Sequence, residues 1–307
     1  MKVHRARVLG FCRGVRRAVE MAESSIANSG TSSRSRRVYT SGPLIHNPSI
    51  LAHLSDHGIG ILNEGELPSP SEDATVIIRA HGIAPEKEAL LTQNGAHIED
   101  ATCPYVKRSQ RRAHAFAKAG CRIFLAGEAN HAEIIGIRGY IESAVESAGL
   151  PSCYIVGTSC EAKKAAKELL DNAGEVKTAL IGQTTISPSE YQAIGQALQS
   201  FFPKIEIADT ICNATTERQD ALRELCTEVE AVIIVGGKES SNTRRLLSLA
   251  EGFGKPAWLV QTADELPPEI GKYETVGISA GASTPDSIIA GIEQALRRII
   301  AHSFQFV

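Results

Sequence analysis

Short apolar runs alternate along the chain with longer stretches of helical periodicity. The runs at 37–40, 75–78, 122–125, 178–181, 231–235 and 275–278 are rich in β-branched or aromatic residues. They are continuous rather than alternating, the pattern of strands buried on both faces of a parallel sheet. Amphipathic stretches at 15–26, 106–119, 161–172, 215–228 and 287–301 read as helices. Strand then helix, many times over, predicts an α/β fold. Only a short Ser/Arg-rich loop at 24–37 interrupts the pattern.

A weaker periodicity lies above this one. FCRGVRR at 11–17 resembles TCPYVKR at 102–108, and both resemble ICNATTER at 211–218. Self-similarity at a period of roughly 100 residues predicts three similar α/β domains rather than two large ones. Their expected bounds are 14–102, 103–208, and 209–307 joined by 1–13. Cys12, Cys103 and Cys212 occupy one place in the repeat, where a strand feeds a helix N-terminus. The other strands end in polar turns, at 42–47, 79–82, 127–133, 182–185, 236–242 and 279–284. Ligands of open α/β sheets bind at the carboxyl ends of strands. Any one of these turns reads as ordinary helix capping. Three cysteines and three histidines (His46, His81, His131) recur there beside Thr184, Ser240, Ser241, Asn242 and Ser283. Together they point to one central cavity.

Composition narrows the class. Of 307 residues, 43% are hydrophobic and 22% charged, ordinary globular values. Lys and Arg number 32 against 35 Asp and Glu, which argues against a dedicated nucleic-acid binder. No apolar run approaches the ~18 residues of a membrane span, and the N-terminus lacks a signal-peptide core. A soluble, cytoplasmic protein is the expectation. The cysteines number 7, and none forms a CxxC pair, which disfavours a disulfide framework, a zinc ribbon or a thioredoxin-type site. Cys121, Cys153, Cys160 and Cys226 stand outside the repeated motif and read as buried or incidental thiols.

Three converging thiolates suit a metal: either a cysteine-only zinc site or a 4Fe–4S cluster with one iron left open. Hydroxyls, amides and helix N-termini suit a phosphate or diphosphate. Glu133, two residues after His131, supplies a carboxylate able to relay a proton. The residues thus describe a metal- or cluster-dependent enzyme acting on a phosphorylated small molecule.

The runs GFCRGVRRAVE (10–20), IHN (45–47), RAHG (79–82), DATCPYVKR (100–108), NHAE (130–133), QTT (183–185), DTICNATTERQ (209–219), ESSN (239–242) and AGAS (280–283) occur in this order. In that order they closely resemble the 4-hydroxy-3-methylbut-2-enyl diphosphate reductases, and residues 302–306 are similar to that family's tail. The resemblance implies three α/β domains in a pseudo-threefold trefoil around a central cluster cavity. It implies reductive removal of the substrate's allylic hydroxyl, giving isopentenyl and dimethylallyl diphosphate, the last step of the non-mevalonate isoprenoid pathway. Cys12, Cys103 and Cys212 would ligate a 4Fe–4S cluster whose open iron is a Lewis acid toward the hydroxyl. Glu133, with Thr184, would deliver the proton, and His131 would orient the hydroxyl. His46, His81, Ser240, Ser241, Asn242 and Ser283 would hold the diphosphate. Electrons would come from reduced ferredoxin or flavodoxin, and no strand is followed by a G-x-G-x-x-G motif. The pairs Arg111–Arg112 and Arg244–Arg245 read as solvated helix faces that could form a rim for an acidic carrier. Arg13, Ala132 and Asn213 depart from common family residues without removing a ligand or an acid. The rival reading, a non-catalytic iron–sulfur redox sensor or electron carrier, has no need of Glu133 or of the diphosphate turns.

Overall fold

The continuous apolar runs become the inner strands of three four-stranded sheets in which every strand pair is parallel. A computed structural model describes residues 2–29, 36–70, 73–145, 153–174 and 176–303. The chain divides into two compact units: Met1–Arg16, Ile45–His53 and Asn213–Val307 in the first, and Arg17–Leu44 and Leu54–Cys212 in the second.

The sheet of the first unit has the order β1 (Lys2–Arg5), β12 (Thr275–Ala280), β10 (Ala231–Val235), β11 (Ala257–Val260). Strand β10 shows why its sequence is continuously apolar. Ile233 and Val235 enter one core with Ile289, Ile292 and Leu296 of helix α10 (Asp286–Ser303). Val232 and Ile234 enter the opposite core, with Leu222 and Leu225 of α8 (Asn213–Glu228) and Leu246 of α9 (Ser241–Gly252). Truncating such a side chain to alanine costs ~2–5 kcal/mol.

The second unit holds two sheets. One runs β3 (Ile59–Ile61), β2 (Arg37–Thr40), β4 (Ala74–Ile78), β5 (His97–Asp100). The other runs β7 (Cys153–Val156), β6 (Arg122–Ala126), β8 (Thr178–Gly182), β9 (Glu206–Ile207). Their helices include α3 (Pro85–Gln93), α4 (Pro104–Lys118), α5 (Ala132–Glu142), α6 (Ser159–Ala173) and α7 (Pro188–Gln199). Along β6, Ile123 and Leu125 pack with α4 and α5, while Phe124 and Ala126 pack with α6 and α7. Helices α1 (Arg13–Ser29) and α2 (Pro48–Asp56) each contribute residues to both units.

One strand order serves all three sheets. Counting within a repeat, the second strand lies at an edge, the first beside it, then the third, then the fourth. β1 takes against β12 the place that β5 takes against β4 and β9 against β8. Each of the three cysteines of the repeated motif therefore follows a fourth, edge strand and directly precedes α1, α4 or α8.

Several elements differ from the sequence expectation. The loop expected from residue 24 begins later, because α1 continues to Ser29. Ser24 and Ser25 donate to the carbonyls of Glu20 and Met21, so their hydroxyls are satisfied inside the helix. Edge strands such as β1 and β9 carry no continuous apolar run, because they are short, with the ends of β1 and both residues of β9 exposed. Cys121 and Cys226 are core residues and Cys153 packs on a core edge, whereas Cys160 is exposed. Residues 30–35 of the Ser/Arg-rich stretch and 304–306 of the tail lie outside the described residues. Among the described residues, no helix is long and apolar enough to cross a membrane.

Candidate active site

In the second unit the site starts at the N-terminus of α5. His131 is its N-cap, with extended backbone, and its Nδ1 accepts a hydrogen bond from the Glu133 N–H at 3.2 Å. This cap fixes the turn where alanine stands at position 132, and it leaves the imidazole edge-on to His81, with ring centres 5.2 Å apart. The Glu133 carboxyl is 1% exposed. Its Oε1 accepts from the Thr184 N–H at 2.7 Å and its Oε2 from the Thr184 hydroxyl at 2.8 Å. A hydroxyl both donates and accepts. A proton arriving on Oε2 can therefore be passed to Thr184 Oγ1, which reorients to donate its own hydrogen onward.

Thr184 is held by the end of β8 and by its neighbours. The Gly182 N–H donates to Thr210 Oγ1 at 2.9 Å, and Gln183 Oε1 accepts from the Glu128 N–H at 3.0 Å. Beneath them the Tyr191 hydroxyl donates to the carbonyls of Leu180 (3.1 Å) and Ala208 (2.7 Å). Burial pushes that phenol well above its ordinary range, so it remains a neutral donor.

The same turns carry two of the cysteines. The Cys212 N–H donates to the Thr184 carbonyl, and the Cys103 N–H to the carbonyl of Ala80, next to His81. In the first unit the Cys12 N–H donates to the Ala282 carbonyl, next to Ser283. All seven cysteines are thiols, and these three are half-buried. Cys12 Sγ accepts from the Val15 N–H at 3.4 Å, placing its sulfur over the start of α1. Cys121 and Cys226 differ in kind: their apolar surroundings push their thiols above the ordinary range and away from reactivity.

The remaining predicted site residues lie in the first unit. Ser240 caps α9, accepting from the Thr243 N–H at 3.3 Å, and Ser241 Oγ accepts from Arg245. Ser283 donates to the His46 carbonyl at 3.3 Å, while Asn47 Nδ2 donates to the Ser283 carbonyl at 2.8 Å. Asn242 is 5% exposed, yet neither atom of its amide has a partner in the protein. The Thr243 and Ser279 hydroxyls are fully buried and equally unpartnered. Gly236 and Gly281 lie against Thr243, so a Cβ at either would meet the Thr243 hydroxyl.

The structure thus groups His81, His131, Glu133, Thr184, Cys103 and Cys212 within the second unit, and Cys12, His46, Ser240, Ser241, Asn242 and Ser283 within the first. Sequence reasoning gave no role to Asn47, Gln183 or Arg218, although all three lie inside the quoted motifs. Arg218 is 3% exposed and donates to the Gly10 carbonyl at 2.5 Å, two residues before Cys12. At Gly10 φ is +77°, and Thr284, Asp286 and Ile289 crowd the position of a Cβ, so only glycine fits there.

Residues 3–297 match the family model described as LytB protein. This chain belongs to the LytB protein family. A LytB relative from Treponema pallidum (strain Nichols), named 4-hydroxy-3-methylbut-2-enyl diphosphate reductase, is 44% identical over 96% of this chain and 83% of its own. A solved (E)-4-hydroxy-3-methyl-but-2-enyl diphosphate reductase, described as the terminal enzyme of the non-mevalonate pathway, matches with a TM-score of 0.68 at 36% identity. That match covers 97% of this chain and 100% of the other. The Plasmodium falciparum E-1-hydroxy-2-methyl-but-2-enyl-4-diphosphate reductase matches with a TM-score of 0.81 at 27% identity, over 98% and 87% of the two chains.

Proposed function

We propose that this LytB protein is a 4-hydroxy-3-methylbut-2-enyl diphosphate reductase. It takes two electrons and two protons, breaks the allylic C–O bond, and releases water with isopentenyl or dimethylallyl diphosphate. The observation that carries this reading is the buried Glu133 carboxyl, both of whose oxygens are engaged by Thr184. An electron carrier or redox sensor has no use for an acid so placed. A dehydroxylase needs one, because hydroxide leaves only when it receives a proton.

The donor set fits an iron–sulfur cluster. Cys12, Cys103 and Cys212 are thiols, each directly before the N-terminus of a helix, and sulfur is the ligand that iron–sulfur clusters take. Three such ligands suit a 4Fe–4S cluster with a fourth coordination position open. When bound, that group supplies the electrons and a Lewis acid for the substrate's hydroxyl. Ser240, Ser241, Asn242, Ser283, His46 and His81 hold the diphosphate. The unpartnered Asn242 amide at the start of α9 supports this, since a phosphate there meets a buried donor as well as the helix N-terminus. His131 orients the hydroxyl, and the proton carried by Glu133 reaches it through the Thr184 hydroxyl.

The electron donor is an acidic one-electron carrier, a ferredoxin or flavodoxin. Helix α4, which begins directly after Cys103, carries Lys107, Arg108, Arg111, Arg112 and Lys118 and no acid. Helix α8, after Cys212, carries Glu217, Asp220, Glu224 and Glu228 against two arginines. The basic face of α4 is the complementary dock.

The test is anaerobic purification, iron and sulfide analysis, and turnover with a chemical reductant. About four irons and four sulfides per chain, with conversion of the allylic alcohol, are expected. Stoichiometric zinc without sulfide overturns the reading.

A further inference from the structure

Arg17, Arg108 and Arg218 share one place in the repeat, five or six residues beyond Cys12, Cys103 and Cys212 on the helices those cysteines precede. Each reaches the backbone that leads into a different cysteine. Arg17 donates to the carbonyls of Asp100 (3.1 Å) and Thr102 (3.3 Å), before Cys103. Arg108 donates to the Asp209 carbonyl at 3.2 Å, before Cys212. Arg218 donates to the Gly10 carbonyl at 2.5 Å, before Cys12.

The order is cyclic. The helix after Cys12 holds the approach to Cys103, the helix after Cys103 holds the approach to Cys212, and the helix after Cys212 holds the approach to Cys12. Three arginines making contacts of one kind, from one repeat position and in a closed order, are not explained as separate surface contacts. Guanidinium suits this role, because it stays charged and its rigid fork can span two carbonyls at once, as Arg17 does.

We propose that Arg17, Arg108 and Arg218 are positioning residues, each strapping the loop that presents the next cysteine in the cycle. The straps hold the three sulfurs ready before any cluster arrives, so less ordering remains when it binds. Their link to catalysis rests on the cysteines being cluster ligands, but the straps themselves belong to the polypeptide and can be measured without iron.

The experiment is alkylation of the metal-free protein by iodoacetamide, followed peptide by peptide. Arg17→Ala should speed modification of Cys103 about 3- to 10-fold, the net worth of one ordinary hydrogen bond, and leave Cys12 and Cys212 at their original rates. Arg108→Ala should speed Cys212 alone. Arg218→Lys, which keeps a cation in the buried position, should speed Cys12 alone. Arg223→Ala, on the same helix as Arg218 but paired with Asp220, should change none of the three rates. In the iron-loaded protein the strap variants should lose iron to a chelator faster by a similar factor. Unchanged rates, a change at the cysteine preceding the arginine's own helix, or an equal rise at all three overturns the proposal. Wild-type protein without iron and sulfide would sink the reductase reading, while the crossed alkylation pattern could still stand.

Discussion

Two regions of the chain, around Glu133 and around Asn242, treat buried polar atoms in opposite ways. Around Glu133 the donors and acceptors engage one another: Thr184 with the carboxylate, the Glu133 N–H with His131, Gln183 with the Glu128 N–H. Around Asn242 they are left open, since its amide and the Thr243 and Ser279 hydroxyls are buried without protein partners. A buried polar group without a partner costs ~1–3 kcal/mol. On the proposed reading, the first pattern is that of a preorganised catalytic group, fixed before substrate arrives. On the same reading, the second is that of a cradle whose hydrogen bonds the diphosphate completes.

Substitutions can break this contrast, and the acid offers the largest effect. Glu133→Gln keeps the shape and leaves the cysteines untouched, so iron content and substrate affinity should persist while turnover falls ~10²–10⁴-fold. Near-normal turnover would remove Glu133 from the chemistry. The next effect is a difference in sign. Thr184→Val strips the hydroxyl from a buried carboxylate and should destabilise the substrate-free protein by ~1–3 kcal/mol. Asn242→Leu removes two atoms that have no partner, so thermal unfolding should show no loss and even a gain, while KM rises ~10-fold or more. A matching loss of stability in both variants would erase the distinction between the two regions.

Smaller effects sharpen it at the surface. Reversing charge at Arg111 and Arg112 together should slow turnover driven by an acidic carrier about 10-fold, flatten its salt dependence, and leave turnover with a chemical reductant unchanged. Equal slowing with both reductants would place the dock elsewhere. Asp100, before Cys103, gives the smallest signal. Burial alone would raise its pKa, but hydrogen bonds from Lys107 and Thr102 outweigh that and hold it below the ordinary carboxylate range. A depressed carboxyl contributes stability above its unfolded pKa, ~3.9, and loses it as pH falls through the lower folded value. Lys107→Ala should therefore weaken the protein at pH 7 by under ~1 kcal/mol and have less effect near pH 3, measured by denaturant midpoint.

Much of this was legible in the chain. Strands such as β10 announced themselves because burial on both faces demands an unbroken apolar run, and a sequence reports that directly. Cys12, Cys103 and Cys212 stood out because three copies of one motif place them before a helix. The edge strands β1, β5 and β9 did not stand out, since an edge needs one apolar face at most, and sequences such as KVHR or HIED carry no period.

Local pattern fixed what each residue could do: sulfur at a helix start, a carboxyl after a capping histidine, glycine where a side chain has no room. It could not say that Thr184, remote in the chain, engages both carboxyl oxygens of Glu133, that the Asn242 amide is left with no partner, or that each arginine serves another cysteine's loop. Those facts depend on distances between segments far apart in sequence. Hydrogen bonds act over a few ångströms, so only the folded arrangement of the chain decides which are made.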